Sequence, residues 1–150
     1  MKMLKMITIS AMTFLLGSSL AFAELTLHQT IDKHNNVLAE AIMQGDIERL
    51  SDSHAYTDDA YVYAPSTPTV HGKENIREFW EGVIQAGAKH VSLEIHDVHN
   101  SGELAYAVGT LRFVDTSGQA SDSRYLLVFK KDGEQWKLHL DMWTPSVTSK

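Results

Sequence analysis

A histidine and a carboxylate near the C-terminus have the residue types and the spacing that suit proton transfer. His139, Asp141 and Trp143 alternate along one face of an expected strand, and its other face carries Trp136, Leu138, Leu140 and Met142. A carboxylate beside an imidazole raises the pKa of the imidazole, so the two groups can act as an acid–base pair. The alternative is a structural role, in which this polar face contacts another protein surface.

The eight histidines do not have the spacing of a metal site. His28 and His34 are six residues apart on an expected helix, whereas the histidines of helical zinc sites are four apart. His96 and His99 fall on opposite faces of an expected strand. We therefore predict that the protein binds no metal.

A second pair of carboxylates, Asp58 and Asp59, is adjacent in sequence. Neighbouring residues of an extended segment point in opposite directions, so turn and capping roles are expected here, with a plain hydrogen bond to the nearby His54. The chain has no glycine-rich phosphate loop, no Gly-x-Ser-x-Gly elbow and no dinucleotide-binding fingerprint, so no cofactor is predicted.

Composition narrows the class of protein further. The 150 residues include no cysteine, which excludes disulfides, thiolate zinc sites, iron–sulfur clusters and cysteine nucleophiles. The net charge is −6, which argues against nucleic acid or an anionic membrane surface as the main partner.

The N-terminus has the pattern of an export signal. Lys2 and Lys5 precede an apolar run from Met6 to Leu20, and Ala21-Phe22-Ala23 then supplies small residues at the spacing of a cleavage site. The run is shorter than the roughly 20 residues that a spanning helix needs. We predict a signal peptide at 1–23, one domain at 24–150 and a periplasmic or secreted protein, with a retained anchor as the alternative.

Helical periodicity dominates the first half of the domain. Leu27, Ile31, His34, Leu38 and Ile42 form one stripe, after which Gly45 is a typical helix end and Asp46 a typical cap for a short second helix. A strand is expected around 60–63. A third amphipathic helix carries Ile76, Phe79, Trp80, Val83 and Ile84 and ends near Gly87.

From His90 the period changes to two, and turn residues at 100–102, 115–118 and 132–133 separate strands near 104–114, 120–131 and 134–143. Helices followed by an antiparallel meander predict an α+β fold with the helices on one face of the sheet. Both faces of the strand around 125–129 are apolar, so the outer face is expected to pack against a second copy in a homodimer.

The order of these elements resembles the nuclear transport factor 2-like superfamily, and most closely its SnoaL-like and ketosteroid isomerase-like branch. The likeness covers the whole expected domain. It is carried by Gly45-Asp46, Tyr56-Thr57-Asp58-Asp59-Ala60 before Pro65, Gly72 with Ile76-Arg77-Glu78-Phe79-Trp80, Ala105-Tyr106 with Gly109, Tyr125, Asp132-Gly133 before Trp136-Lys137, and Asp141-Met142-Trp143.

The resemblance implies a cone-shaped fold, also described as a cystatin-like roll. A curved antiparallel sheet wraps around the long first helix, with two further helices and an apolar pocket at the open end. Many members of the superfamily pair through the outer face of the sheet, in agreement with the expected dimer.

The steroid isomerases of this branch use a carboxylate base, a helix-one Tyr and a protonated Asp. Residue-by-residue matching places these positions at Ala64, Leu38 and Tyr125 respectively. The base is absent, so the resemblance does not extend to that mechanism.

The same matching implies which side chains line the pocket. It assigns Leu38 to the first helix, lets Phe79 and Trp80 close the cone, and puts on the concave face Tyr106, Val108, Thr110, Arg112, Tyr125, Leu127, Leu138 and Met142. Arg112 and Tyr125 are then the candidates for stabilising an oxyanion on a ligand with an acidic or carbonyl group. The alternative for Arg112 is a strand end, where its side chain reaches solvent.

On this assignment, His139, Asp141 and Trp143 belong to the outer layer and the dimer contact. We therefore expect an exported protein that binds a small organic molecule in an apolar pocket. If it is an enzyme, the resemblance points to a cofactor-free isomerase, cyclase or oxidoreductase-like activity on a polyketide- or steroid-like compound. The alternative is a non-catalytic homodimeric scaffold in the cell envelope. A cavity of roughly 300 Å³ or more favours the ligand, and a filled interior favours the scaffold.

Overall fold

The computed structural model of the chain describes residues 12–53 and 56–146, with the side chains of 27–50 and 56–146. Lys2, Lys5 and His54 lie outside the described residues, as do the side chains around the predicted cleavage site. The elements in chain order are α1 (Met12–Gln44), α2 (Ile47–Ser53), β1 (Tyr56–Tyr63), β2 (Val70–His71), α3 (Lys73–Ala86), β3 (His90–Ser101), β4 (Leu104–Val114), β5 (Ala120–Asp132) and β6 (Gln135–Pro145).

The predicted helix ends are confirmed. Gly45 follows α1 with φ 73°, a conformation that disfavours side chains with a Cβ. Asp46 caps α2 by accepting a hydrogen bond from the backbone N–H of Arg49 at 3.1 Å. Gly87 ends α3. The buried side of this helix carries Ile76, Trp80 and Ile84. No helix among the described residues is both long enough and apolar enough to cross a membrane.

The sheet has six strands in the order β2-β1-β6-β5-β4-β3, and it is curved and not closed. The predicted α+β class and the hairpins between β3, β4, β5 and β6 are confirmed. The sheet is nevertheless mixed, because β1 lies parallel to β6. Turn residues reveal only hairpins between successive strands, so a pairing between the first and last long strands leaves no local signal.

One face of the sheet packs against the helices and forms the core. Phe129, Leu27, Ile31, Ile76 and Val62 are its largest fully buried side chains. Leu27 and Ile31 belong to the α1 stripe that the sequence predicts. The helix-facing side of the sheet is therefore the concave side that any internal site must use.

On β4 the predicted faces are reversed. Ala105, Ala107 and Gly109 are buried on the helix-facing side. The structure therefore places four expected pocket residues on the outer face: Tyr106, Val108, Thr110 and Arg112. A strand has a period of two, so a register difference of one residue relative to the isomerases moves every side chain to the opposite face.

On β6 a β-bulge changes the face halfway along the strand. Phe129 pairs with Leu138 but its neighbour Val128 pairs with Leu140, which leaves His139 as the extra residue. Leu138 is buried towards the helices, as predicted, while Met142 is 39% exposed on the outer face. The assignment of Asp141 and Trp143 to the outer layer is wrong, because the bulge turns both side chains towards the helices.

The expectation for Asp58 and Asp59 is also corrected. Both are exposed and lie within β1, which begins four residues earlier than the predicted strand. Asp59 approaches Lys130 at 3.7 Å and His139 at 3.5 Å. It therefore takes part in contacts across the outer surface of the sheet.

Candidate active site

A cavity of about 250 Å³ lies between α1, α3 and the concave face of the sheet. Most of its wall is aliphatic or aromatic, and exposed Ser121 marks its mouth. The lining residues are His34, Asn35, Leu38, Ile42, Trp80, Val83, Val91, Leu93, Leu111, Phe113, Ser121, Ser123, Tyr125, Leu127, Asp141 and Trp143.

Four of the predicted pocket residues do line the cavity, namely Leu38, Trp80, Tyr125 and Leu127. Leu138 is buried on the same face of the sheet but does not reach the cavity. Phe79 stands behind the wall, with its ring 5.1 Å from that of Trp80 and 6.1 Å from that of Trp143. That Leu38, Trp80, Tyr125 and Leu127 contact a ligand stays a prediction.

The carboxyl group of Asp141 is the main polar feature of the cavity wall. Asp141 is 4% exposed, and its Oδ2 accepts a hydrogen bond of 3.1 Å from the hydroxyl of Tyr56. The indole N–H of Trp80 in turn donates to the Tyr56 hydroxyl at 3.0 Å. Three side chains from β6, β1 and α3 thus form one buried chain of hydrogen bonds that ends at the carboxyl.

Burial raises the pKa of Asp141 to about 7, and the hydrogen bond from Tyr56 offsets only part of this effect. Burial is also the main cause that raises the pKa of Tyr56 well above its usual value, with the negative charge of Asp141 as the next cause. Tyr56 therefore stays a neutral donor while Asp141 changes its protonation near neutral pH. A group with this property can both take and give a proton.

The second carboxyl oxygen of Asp141 makes no hydrogen bond to any residue that the structure describes. Buried polar atoms are normally paired, and Asp141 is one of the lining residues, so this oxygen is the candidate partner for a bound molecule. The carboxyl thus combines a fixed orientation, given by Tyr56, with one open position.

Tyr125 forms a second polar position in the same cavity. Its hydroxyl accepts a 3.2 Å hydrogen bond from the amide of Asn35 and donates a 3.1 Å hydrogen bond to the backbone carbonyl of Glu94. Burial raises the pKa of Tyr125 to about 12, so it is a neutral hydroxyl at physiological pH. Because its proton is already engaged, the remaining amide groups of Asn35 are better placed to bond a ligand.

Arg112, the predicted cation of the pocket, lies on the outer face and is exposed. Its guanidinium pairs with Asp122 at 3.1 Å. This agrees with the alternative in which Arg112 reaches solvent. The cavity lining contains no Lys or Arg, and its ionisable groups are Asp141, Tyr125 and His34.

Within 12–53 and 56–146, no cluster of three or more His, Asp or Glu residues has the arrangement of a metal site. The polar groups of the cavity are carboxyl, hydroxyl, amide and imidazole groups. They are suited to hydrogen bonding and proton transfer.

Sequence reasoning missed Tyr56, Asn35 and the inward position of Asp141. Asn35 falls on the buried stripe of α1, four residues after Ile31 and three before Leu38, and a polar residue there is a usable signal. Asp141 likewise interrupts the apolar sequence from Leu140 to Trp143. No comparable signal marks the bulge at His139, which depends on the pairing of three strands.

A curved sheet around a long helix, with a polar group in an apolar cavity, defines the class of the nuclear transport factor 2-like proteins. The sequence profile of the SnoaL-like domain matches residues 23–139, and the chain belongs to this family. No curated protein matches the chain at significant similarity.

Solved structures support the same fold at low sequence identity. A putative dehydratase of the NTF2-like family from Streptomyces avermitilis is 19% identical, with 80% of this chain and 96% of that chain covered and a TM-score of 0.65. A ketosteroid isomerase-like protein from Erwinia carotovora gives the same four values. A domain with a cystatin-like fold from Nostoc punctiforme is 19% identical, with 81% and 78% covered and a TM-score of 0.70. At such identities the likeness shows the fold alone.

Proposed function

We propose that the protein binds a small uncharged organic molecule in the cavity and moves a proton on it through Asp141. The observation that carries this proposal is the buried carboxyl of Asp141, a lining residue of the cavity that has a pKa of about 7 and one oxygen without a hydrogen bond to the described residues. A general acid–base group works best when its pKa is close to the working pH. The family and fold support a ligand-binding or isomerase-type function in general terms.

In the proposed reaction, ionised Asp141 takes a proton from a carbon next to a carbonyl group. The electron pair of the broken C–H bond forms a carbon–carbon double bond, and the π pair of the carbonyl group moves onto its oxygen, where an N–H of Asn35 hydrogen-bonds the resulting enolate. Protonated Asp141 then returns the proton to a different carbon of the conjugated enolate, which completes an isomerisation. In a ring closure the enolate carbon instead bonds to a second carbonyl carbon of the ligand, and Asp141 protonates the oxygen of that carbonyl. Each step conserves charge within the site, and the scheme favours an isomerase or cyclase over an oxidoreductase.

The steroid isomerases place their base in the first strand, at the position of Ala64 here. In the proposed mechanism a carboxylate from the last strand, Asp141, replaces it. Two structural relatives are named as a putative dehydratase and a ketosteroid isomerase-like protein, but at 19% identity they share only the fold with this chain.

The lining restricts the ligand. With no Lys or Arg in the wall, a carboxylate or phosphate has no permanent cation to pair with and meets the negative charge of ionised Asp141. An acidic group on the ligand was expected because Arg112 was placed in the pocket, and that expectation no longer holds. A carbonyl group on the ligand remains suitable. The volume of about 250 Å³ lies just below the range of roughly 300–1,000 Å³ for drug-sized ligands, which favours a compound smaller than a steroid.

A non-catalytic scaffold is the competing function. A filled interior would favour it. Leu38, Trp80 and Leu127 instead surround open space, although its volume of about 250 Å³ stays below the roughly 300 Å³ expected of a ligand pocket. A scaffold also gains nothing from a buried carboxyl with an unpaired oxygen, which costs stability. These two observations favour the ligand-binding function.

We also infer that the protein is exported and pairs through the outer face of its sheet. Two cross-strand rows of apolar side chains lie there, Tyr106–Val128–Leu140 and Val108–Leu126–Met142. Such rows pack against an identical surface in a two-fold dimer. The family match begins at residue 23, so the apolar N-terminal run falls outside the matched domain, which supports its proposed role as a removable signal.

Deuterium exchange into 2-tetralone, a small uncharged ketone, tests the proton transfer. The wild-type protein should accelerate exchange at the carbons next to the carbonyl, measured by proton NMR in D₂O. Asp141→Asn should lower this acceleration by about 100-fold or more, since general acid–base groups contribute about 10²–10⁴. Asp122→Asn, which changes an exposed carboxylate on the outer face, is the matched control. Exchange by Asp141→Asn at the wild-type rate would refute the proposal.

A further inference from the structure

The strand pairing around His139 is irregular on both sides of β6. Towards β5, His139 is the extra residue of the bulge. Towards β1, the pairing advances from Tyr56 to Tyr61 while β6 advances only from Leu138 to Leu140. Residues 57–60 therefore leave the regular ladder beside His139.

Side chains from this irregular segment hold the His139 ring on the outer surface of the sheet. Thr57 Oγ1 and His139 Nδ1 share a hydrogen bond of 2.8 Å, and Asp59 Oδ1 lies 3.5 Å from the same nitrogen. A hydrogen bond from the Thr57 hydroxyl is the main cause that lowers the pKa of Asp59. We call Thr57, Asp59 and His139 the clamp.

The clamp lies at the bulge of β6, which determines the face of the sheet on which the following β6 side chains lie. Regular alternation from buried Leu138 would turn Leu140 and Met142 inward and Asp141 and Trp143 outward. Burial of the Asp141 carboxyl is costly, whereas Trp143 gains a contact with Trp80 on the inner side, with 6.0 Å between the ring centroids. The carboxyl therefore needs a compensating interaction in the observed register, and the clamp is a side-chain contact at the bulge that can supply part of it.

We propose that the clamp holds the β6 bulge in place and so positions Asp141 in the cavity. This inference rests on the proposed function, because Asp141 is the group that it positions. Thr57, Asp59 and His139 are positioning residues, since they lie on the side of the sheet opposite the cavity. The arrangement matches the known use of β-bulges to redirect a side chain beside a site.

The titration of Asp141 tests the proposal without any ligand. In protein labelled with ¹³C at aspartate carboxyl groups, the Asp141 resonance is the one that Asp141→Asn removes. Its midpoint should lie near 7 in the wild type. Thr57→Val and His139→Leu should lower it towards the ordinary value of 3.8 as Asp141 turns to solvent, while Thr57→Ser, which keeps the hydroxyl, should restore it.

The outer face offers a matched control in a second threonine–histidine pair, Thr110 Oγ1 and His96 Nε2 at 3.4 Å. Thr110→Val removes an equivalent hydroxyl away from β6 and should leave the Asp141 midpoint near 7. Wild-type midpoints in both folded Thr57→Val and His139→Leu would overturn the proposal, and so would an equal shift in Thr110→Val. Failure of ketone exchange, by contrast, would contradict the proposed function and leave these titrations unaffected.

Discussion

At the scale of the residue, Asp141 contributes to the site at the expense of stability. The hydrogen bond from Tyr56 does not offset the burial of the carboxyl, so its pKa is raised to about 7. A folded-state pKa above the unfolded value means that the folded protein favours the protonated form. The stabilisation from this protonation is complete below about pH 4 and is lost as the pH rises to about 7.

Asp141→Asn should therefore remove part of the pH dependence of stability. Between pH 5 and pH 8 the wild type should lose about 3 kcal/mol of unfolding free energy relative to the variant, because one pKa unit corresponds to about 1.4 kcal/mol. Urea denaturation at both pH values measures the difference. Asp122→Asn should follow the wild type, and parallel curves for Asp141→Asn and the wild type would disprove the assigned pKa.

At the scale of the element, Gly109 lets β4 lie close to the backbone of β3 and to the ring of Tyr125. A Cβ added at Gly109 would lie 2.0 Å from the backbone oxygen of Glu94 and 2.4 Å from the hydroxyl of Tyr125. The missing side chain thus permits the hydrogen bond between that hydroxyl and that oxygen. Gly109 fixes the position of a cavity residue without touching a ligand.

Gly109→Ala should destabilise the fold by about 1–3 kcal/mol, the usual cost of overpacking, and should displace Tyr125 from Asn35. Gly82→Ala on α3 is the control, since no atom lies within 4 Å of the added Cβ there and alanine favours helices. Urea denaturation compares the two variants, and a crystal structure of Gly109→Ala locates the ring. An unmoved Tyr125 with unchanged stability would show that the close contact is not required.

The strand faces show where sequence patterns fail at this scale. The turns at Gly102, Gly118 and Gly133, all with positive φ, are visible in the sequence and locate β4, β5 and β6. On β4, however, the sequence does not show which side chains face the helices. Small residues face inward there and larger ones such as Tyr106 face outward, the reverse of the usual hydrophobic pattern. On β6, the single extra residue His139 places Asp141 on the inner face, although the sequence pattern predicted the outer face.

At the scale of the whole molecule, the apolar outer face should determine the oligomeric state. We expect native mass spectrometry of the recovered protein to give a dimer of chains that begin at Glu24. Leu126→Lys places a charge at the centre of the outer rows and should yield a monomer, because an unpaired charge cannot be buried there.

Glu78→Lys, on the exposed side of α3, should leave the dimer intact. A wild-type monomer would contradict the proposed pairing. A chain mass that includes residues 1–23 would contradict cleavage after Ala23 and favour the retained anchor.

The sequence by itself determined the class of fold and the helix and turn positions, because periodicity, glycine and capping residues act over a few neighbours. The family followed from the resemblance of its motifs to those of known members. The sequence also located Leu38, Trp80, Tyr125 and Leu127 near the interior. Only the tertiary structure decided that β1 lies parallel to β6, that Arg112 faces out and that Asp141 faces in. Those outcomes depend on the register between distant strands, where a shift of one residue exchanges the two faces of a sheet at no change in local pattern.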